Sequence, residues 1–223
     1  MEPMETIATV AARPKRHRLR LAIILVLAMG GLGIGGYYCK TYAIDSNFAV
    51  VIPGKVYRSG QPRPEQLKSW VEQYHIRTIV NLRGNNAEDC KKEALQAADL
   101  KVVDVPIALS AKRPVTKGEL AQVIKALDES QPPILLHCRA GNDRSGFASM
   151  LAVLALGQTD YATARKQLRT PWYGQHISDT IVMYEQYCTD KKLDPNSWPQ
   201  FKTWAKEIYN PPVKEPQDTQ PAE

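Results

Sequence analysis

An α/β fold, with a largely parallel sheet flanked by helices on both faces, is what this chain predicts, preceded by one apolar helix. Three observations carry it. Short apolar runs at 78–82, 101–105 and 134–137 alternate with helical patterns, as in successive strand–helix units. Only helical segments follow the last of these runs. At the N-terminus the uncharged stretch Leu21 to Tyr38 stands apart from the rest.

The 223 residues, 43% hydrophobic and 23% charged, suit one domain with a sizeable core plus appendages. The net charge of +6 is unevenly spread. Residues 1–40 hold six Lys/Arg against two Asp/Glu, and the remainder holds 23 against 21. Basicity that sits in an arm and not on a folded face argues against nucleic acid as a partner. Cys39, Cys90, Cys138 and Cys188 form no CxxC pair and have no His spacing that suits zinc, and the chain is not a disulfide scaffold.

In order, residues 1–20 are a basic arm ending Arg13-Pro-Lys-Arg-His-Arg-Leu-Arg20. Residues 21–38 follow, and eighteen helical residues span roughly 27 Å, just enough for a thin hydrocarbon core. A cleaved signal peptide wants a small-x-small site, and Gly36-Tyr-Tyr-Cys-Lys40 has none. An uncleaved single-pass anchor is the preferred reading, with a cleaved signal and a buried soluble helix as alternatives. The basic flank keeps the N-terminus cytoplasmic, so the domain lies outside the cytoplasmic membrane, in the periplasm if the source is Gram-negative. Gly31 and Gly35 make a weak GxxxG pair.

After a connector, 39–47, the domain is expected over 48–209. Phe48–Ile52 and Lys55–Arg58 read as strands around the Pro53-Gly54 turn. The helix after Gln61-Pro-Arg-Pro64 places Leu67, Trp70, Val71 and Tyr74 on one face, so its aromatics are core. Thr78–Leu82 is a strand, Glu88–Asp99 a helix, and Lys101–Val105 a strand. A Pro-bounded loop, 106–115, leads to a capping box of Thr116 and Glu119 opening a helix to about Glu129. Ile134–His137 is the next buried strand, and a helix runs from about Arg144 to Leu156. Asp160 caps a short helix through Leu168; Ile177–Asp190 and Pro199–Ile208 are two more. Residues 210–223, rich in Pro and Gln, read as a disordered tail.

The chemistry concentrates in Ile134-Leu-Leu-His-Cys-Arg-Ala-Gly-Asn-Asp-Arg-Ser-Gly146. A strand, a small polar loop and a helix N-terminus aim backbone N–H groups and a helix dipole at one anion. Arg139, Ala140, Gly141, Asn142, Asp143 and Arg144 would line that anion site, with Arg144 gripping two phosphate oxygens through its planar fork. The same positive field favours the anionic sulfur of Cys138, a nucleophile. Ser145 is placed to hydrogen-bond the sulfur as a leaving group, and Gly141 and Gly146 remove side chains where the backbone turns and packs closely. His137 reads as structural support. Arg58 is a further possible anion ligand near the pocket.

These residues resemble the signature loop of the cysteine-dependent protein tyrosine and dual-specificity phosphatases, His-Cys-x5-Arg-Ser/Thr-Gly. Val56-Tyr-Arg-Ser-Gly-Gln-Pro62 and Ile76-Arg-Thr-Ile-Val-Asn-Leu-Arg83 are similar to segments of the compact bacterial, plant and fungal atypical dual-specificity members. The resemblance covers about 48 to 190 and implies a compact dual-specificity-phosphatase-like fold. It also implies metal-free, two-step hydrolysis of a phosphomonoester through a phosphocysteine on Cys138, with Arg144 stabilising the transferring group. Family members usually carry an acid Asp on a loop before the Cys, and Ile107–Arg113 has no carboxylate. Two carboxylates remain open as the general acid: Asp143, at a position where myotubularin-like lipid phosphatases also carry Asp, and Asp104, at the end of a strand. Substrates stay open among phosphoproteins, inositol phosphates and phosphoinositides, because Asn142 stands where several inositide enzymes have Lys, and Lys112-Arg113 reads equally well as a solvated turn. Cys90 and Cys188 pair with each other, protect Cys138, or stay free. The competing classes are a catalytically silent phosphate-binding module and a rhodanese- or arsenate-reductase-type enzyme; two strand–helix units before the loop argue against the low-molecular-weight fold.

Overall fold

The computed structural model describes residues 16–83, 101–104, 114–157, 160–168 and 175–212. The expected helix at 88–99, the loop with Lys112 and Arg113, Cys90, most of the basic arm and the tail from 213 lie outside them.

Helix α1, Arg16–Tyr38, continues into a π-helical turn, Cys39–Ile44. From Leu21 to Tyr38 its side chains are exposed. By length and composition it is apolar enough to cross a membrane, with a mean hydropathy of 1.9 over Arg20–Thr41; a signal sequence has the same properties. Five strands follow in one sheet: β1 Ala49–Ile52, β2 Val56–Ser59, β3 Thr78–Asn81, β4 Lys101–Asp104 and β5 Ile134–His137. Their order is β1-β2-β5-β3-β4. Only the edge pair β1–β2 is antiparallel, so the sheet is mixed. The hairpin is tight enough to close antiparallel, whereas the other connections are crossovers.

Alternate strand residues enter two cores, as the two-residue period of a strand requires. Val56, Val80, Ile134 and Leu136 join one core, while Tyr57, Ile79 and Leu135 join the other. Helix α2, Pro64–Tyr74, covers the second face with Leu67, and Phe48 stacks between it and β2 at 4.4 Å from Trp70 and 5.8 Å from Tyr57. These aromatics are core, as their spacing implies.

On the first face lie α3 (Lys117–Glu129), α4 (Asp143–Leu156), α5 (Tyr161–Arg165), α6 (Gln175–Lys191) and α7 (Trp198–Thr203). The α3 capping box is present: Glu119 N–H donates to Thr116 Oγ1 at 3.2 Å, and Thr116 N–H to Glu119 Oε2 at 2.8 Å. Asp160 caps α5 through Thr163 N–H at 2.8 Å. That helix ends earlier than its pattern implied, and the last one widens into a π-helical turn, Trp204–Ile208, closed by Tyr209 N–H on the Trp204 carbonyl. Helix α4 is buried from Ser145 to Leu154 on every side, because the sheet covers one flank and α3 and α6 the others. A helix apolar all round belongs at the centre of such a layer, and its N-terminus is where β5 delivers the loop.

Removing buried volume from β5 tests this layering. Leu136→Ala is expected to lower the unfolding free energy by roughly 2–5 kcal/mol, whereas Val50→Ala, on the edge strand and 51% exposed, should stay within about 0.5 kcal/mol. Chemical denaturation of the two variants checks the contrast.

Candidate active site

Four strand ends form one row. Ser59 pairs with His137, His137 with Asn81, and Asn81 with Asp104. The parallel strands β2, β5, β3 and β4 therefore end along one edge, their carboxyl ends, where open α/β sheets hold their ligands.

From that edge the backbone curls around Cys138 before entering α4. Cys138 is 3% exposed. Its Sγ accepts the Gly141 N–H at 3.2 Å and lies 3.5 Å from Ser145 Oγ, itself fully buried in the first turn of α4. Gly141 makes the curl feasible. Its φ is +75°, and a Cβ there would stand 2.5 Å from Gly60 N and 2.8 Å from the Ser59 carbonyl carbon, so both conformation and space demand glycine. The Ser59-Gly60 segment is thus the floor on which the loop rests. Cys138 N–H donates to the Ser59 carbonyl and Gln61 N–H to that of Arg139.

Arg144 is the second residue of α4. Its Nη1 donates to the Leu82 carbonyl at 3.2 Å, while its Nε is buried without a hydrogen bond among the described residues. Burial pushes this guanidinium below its ordinary pKa, with the Cys138 sulfur pulling the other way; an arginine so shifted is still a cation at neutral pH. Arg83, two residues past the end of β3, adds a second cation beside Arg144: its charge lowers the pKa of both Arg144 and His137, and its own fork donates to Gln61 Oε1 at 2.8 Å. The Ile76–Arg83 segment, quoted above only for its resemblance, therefore supplies charge beside the loop. Arg139 and Ala140 are exposed at the rim, and Asn142 and Asp143 are half-buried.

His137 has no exposed surface, and burial pushes its imidazole down to about 3, with Arg83 and Arg144 adding to the shift and a backbone hydrogen bond to Cys138 opposing it. The ring sits neutral in β5, one residue before Cys138. Arg58 has a definite partner. It is 3% exposed in β2 and donates from Nη1 to the Gln167 carbonyl at 2.9 Å. A Cβ on Gly146 would stand 2.8 Å from that same carbonyl oxygen. Arg58 and Gly146 together seat the turn after α5 against the start of α4, behind the loop.

The two acid candidates are placed differently. Asp143 opens α4 beside Arg144, whose charge it offsets. Asp104 ends β4, two strands from His137 in register, a Cα separation of about 10 Å across the sheet. Cys39, Cys138 and Cys188 are free thiols. Among the described residues no cluster of three or more His, Cys, Asp or Glu is arranged to hold a metal.

Comparison with known proteins agrees with this loop and sheet: residues 34–201 match the tyrosine phosphatase family. The chain belongs to that family. Among curated phosphatase relatives, the Arabidopsis thaliana protein named inositol diphosphatase DSP3 is 33% identical over 107 residues, 47% of this chain and 52% of that protein. The Pseudomonas aeruginosa dual specificity protein phosphatase TpbA is 28% identical over 117 residues, 51% of this chain and 50% of that protein. The chain thus spans about half the length of the curated relatives it matches. A crystal structure of a putative phosphatase from Shewanella putrefaciens CN-32 superposes with a TM-score of 0.50 at 18% identity, covering 67% of this chain and 98% of the other. This likeness concerns the fold. The mixed sheet with flanking helices is the phosphatase α/β fold.

The buried imidazole has a consequence for stability. Below its ordinary value of 6.5, His137 takes a proton when unfolded and none when folded, so stability is lost as pH falls. Between pH 6.5 and 5 the unfolding free energy should drop by up to about 1.4 kcal/mol per pH unit from this group. Urea unfolding across that interval measures it, and one imidazole resonance should stay at its neutral shift throughout.

Proposed function

We propose that the chain is a cysteine-dependent phosphomonoesterase with a compact dual-specificity-type catalytic domain over 48–209. The observation that carries this reading is the Cys138 sulfur, buried and bonded to the Gly141 N–H at 3.2 Å, at the N-terminus of a helix whose second residue is Arg144. A silent phosphate-binding module needs the amides and the guanidinium but has no use for a sulfur at their focus or for Ser145 beside it.

In the proposed reaction the Cys138 thiolate attacks phosphorus and an S–P bond forms as the P–O ester bond breaks. The departing alkoxide or aryloxide takes a proton from a carboxylic acid. Water then attacks phosphorus while that carboxylate removes its proton, the S–P bond breaks, and inorganic phosphate and thiolate are released. Arg144 and the loop amides of residues 139–144 balance the charge that spreads over the equatorial oxygens. Ser145 hydrogen-bonds the sulfur as it departs. No metal or cofactor takes part in the proposed sequence.

For the acid, Asp143 is preferred and Asp104 is the alternative. Asp143 belongs to the loop itself, while Asp104 would have to act across about 10 Å of sheet. A general acid must come within hydrogen-bond reach of the leaving oxygen.

Two substrate classes remain in play. Protein phosphoesters suit the dual-specificity reading. An inositol phosphate or phosphoinositide is the second reading, favoured by the cations Arg83, Arg139 and Arg144 around one loop and by the name of the Arabidopsis relative. We further infer that residues 21–38 anchor the chain, with 1–20 cytoplasmic and the domain on the opposite side; the exposed apolar surface of α1 and its basic N-terminal flank support this.

Three substitutions test the chemistry. Cys138→Ser should abolish release of phosphate from phosphopeptides, inositol phosphates and aryl phosphates alike; retained turnover contradicts the mechanism. Asp143→Asn should slow hydrolysis of an alkyl phosphate about 10²–10⁴-fold and leave an activated aryl phosphate much less affected. If Asp104→Asn shows that pattern and Asp143→Asn does not, the acid is Asp104.

A further inference from the structure

We infer that Asn47 is a positioning residue of the phosphate loop, fixing the orientation of two consecutive peptide planes around Cys138. The inference rests on the reading of this loop as a phosphate site, and the residue comes from a segment that carries no motif.

Asn47 precedes β1 and faces the loop from outside. Its Nδ2 donates to the carbonyls of Ala140 and Gly141, each at 3.0 Å, and to Asn142 Oδ1 at 2.8 Å. Two backbone carbonyls identify the atom that faces them as the amide nitrogen, since an oxygen there would be repelled by both. Two protons serve three acceptors, so one bond is shared.

Peptide planarity turns these bonds into a constraint on the active face. In a trans peptide the C=O and the following N–H point in opposite directions. The plane joining Ala140 to Gly141 gives its oxygen to Asn47 and its N–H to Cys138 Sγ at 3.2 Å. The next plane gives the Gly141 oxygen to Asn47, so its N–H, that of Asn142, is directed away from Asn47 and toward the inside of the loop. A flip of either plane would present a carbonyl dipole to the bound anion. Gly141, at φ +75°, is the residue about which such a flip is sterically easiest.

Asn47 is itself held firmly. Its φ is +51°, a left-handed conformation that Asn tolerates better than most residues. Its N–H donates to the Thr41 carbonyl, and the neighbouring Ser46 carbonyl accepts the Gly60 N–H. Arg63 donates to the carbonyls of Ala43 at 2.7 Å and Ile44 at 2.8 Å, and Ser46 Oγ donates to Gln66 Oε1 at 2.8 Å. Residues 43–47 are thus clamped to the start of α2 and reach the loop through one amide.

Asn47→Asp in the full-length chain is the deciding substitution. It keeps size, shape and tolerance of positive φ while exchanging the donor for an anionic acceptor. Competitive inhibition by inorganic phosphate should weaken about tenfold or more, the worth of roughly 1–2 kcal/mol of lost hydrogen bonds, with KM for an aryl phosphate rising in parallel and the melting temperature changing little. As pH falls through the carboxylate range near about 4, the introduced carboxylate gains a proton it can donate, so the variant should recover relative to wild type. Asn47→Gly, which removes the donor without backbone strain, should show the binding loss without the pH recovery, and it decides the matter if the Asn47→Asp variant does not fold. Unchanged phosphate inhibition in both variants overturns the inference, as does a loss in Asn47→Asp that tracks its melting temperature and ignores pH. A wild-type chain that neither binds phosphate nor hydrolyses the ester would instead overturn the phosphatase reading itself.

Discussion

The bond from the Gly141 N–H to the Cys138 sulfur is the contact on which the site depends. It is made because the backbone reverses within three residues of the end of β5, and the reversal needs a residue that accepts φ +75° with backbone packed where its Cβ would be. Once the loop has closed on its sulfur, the same curl hands the chain to α4 with Arg144 and Ser145 in its first turn. Around that sulfur stand the Gly141 N–H, the N-terminus of α4 and Arg144, whose charge interacts with it.

The rest of the fold fixes the frame of that loop. Parallel pairing in register aligns the ends of β2, β5, β3 and β4, so Gly60, Arg83 and the loop leave one edge together. Helix α4, buried on all sides, cannot shift without disturbing both the sheet and the outer helices. Asn47 holds the outer face, Ser59-Gly60 the floor, and Arg58 with Gln167 the rear. A loop held on three sides suits the anion site proposed for it, because a preorganised site spends little on rearrangement when charge develops.

Much of this was legible in the residues. The HCRAGNDRSG run specified strand, loop and helix because each part has a local cause: apolar residues for β5, glycine for the turn, and a helix start at a residue pair with defined chemistry. The Thr116–Glu119 box and the Asp160 cap were readable for the same reason, as both act within four residues. What escaped was set by tertiary contact. Arg58 reads as a possible anion ligand near the pocket; that the fold buries it against a carbonyl more than a hundred residues away in the chain is not written in its motif. Asn47 lies in what reads as a connector, and nothing nearby in the chain announces that its amide will meet residues 140–142. The π-helical turns at 39–44 and 204–208 are likewise invisible to a pattern of apolar spacing. Asp143 and Asp104 could not be separated by count alone, because the choice depends on reach and not on order in the chain.

Everything proposed for this site turns on Cys138 carrying the phosphoryl group. Rapid acid quenching of the full-length chain during turnover of a phosphorus-labelled aryl phosphate, followed by peptide mapping, tests it directly. Transient label is expected on the peptide containing Cys138, bound through sulfur, reaching a substantial fraction of the enzyme before steady state. Label on another residue, or steady turnover with no labelled protein at any time, would contradict it.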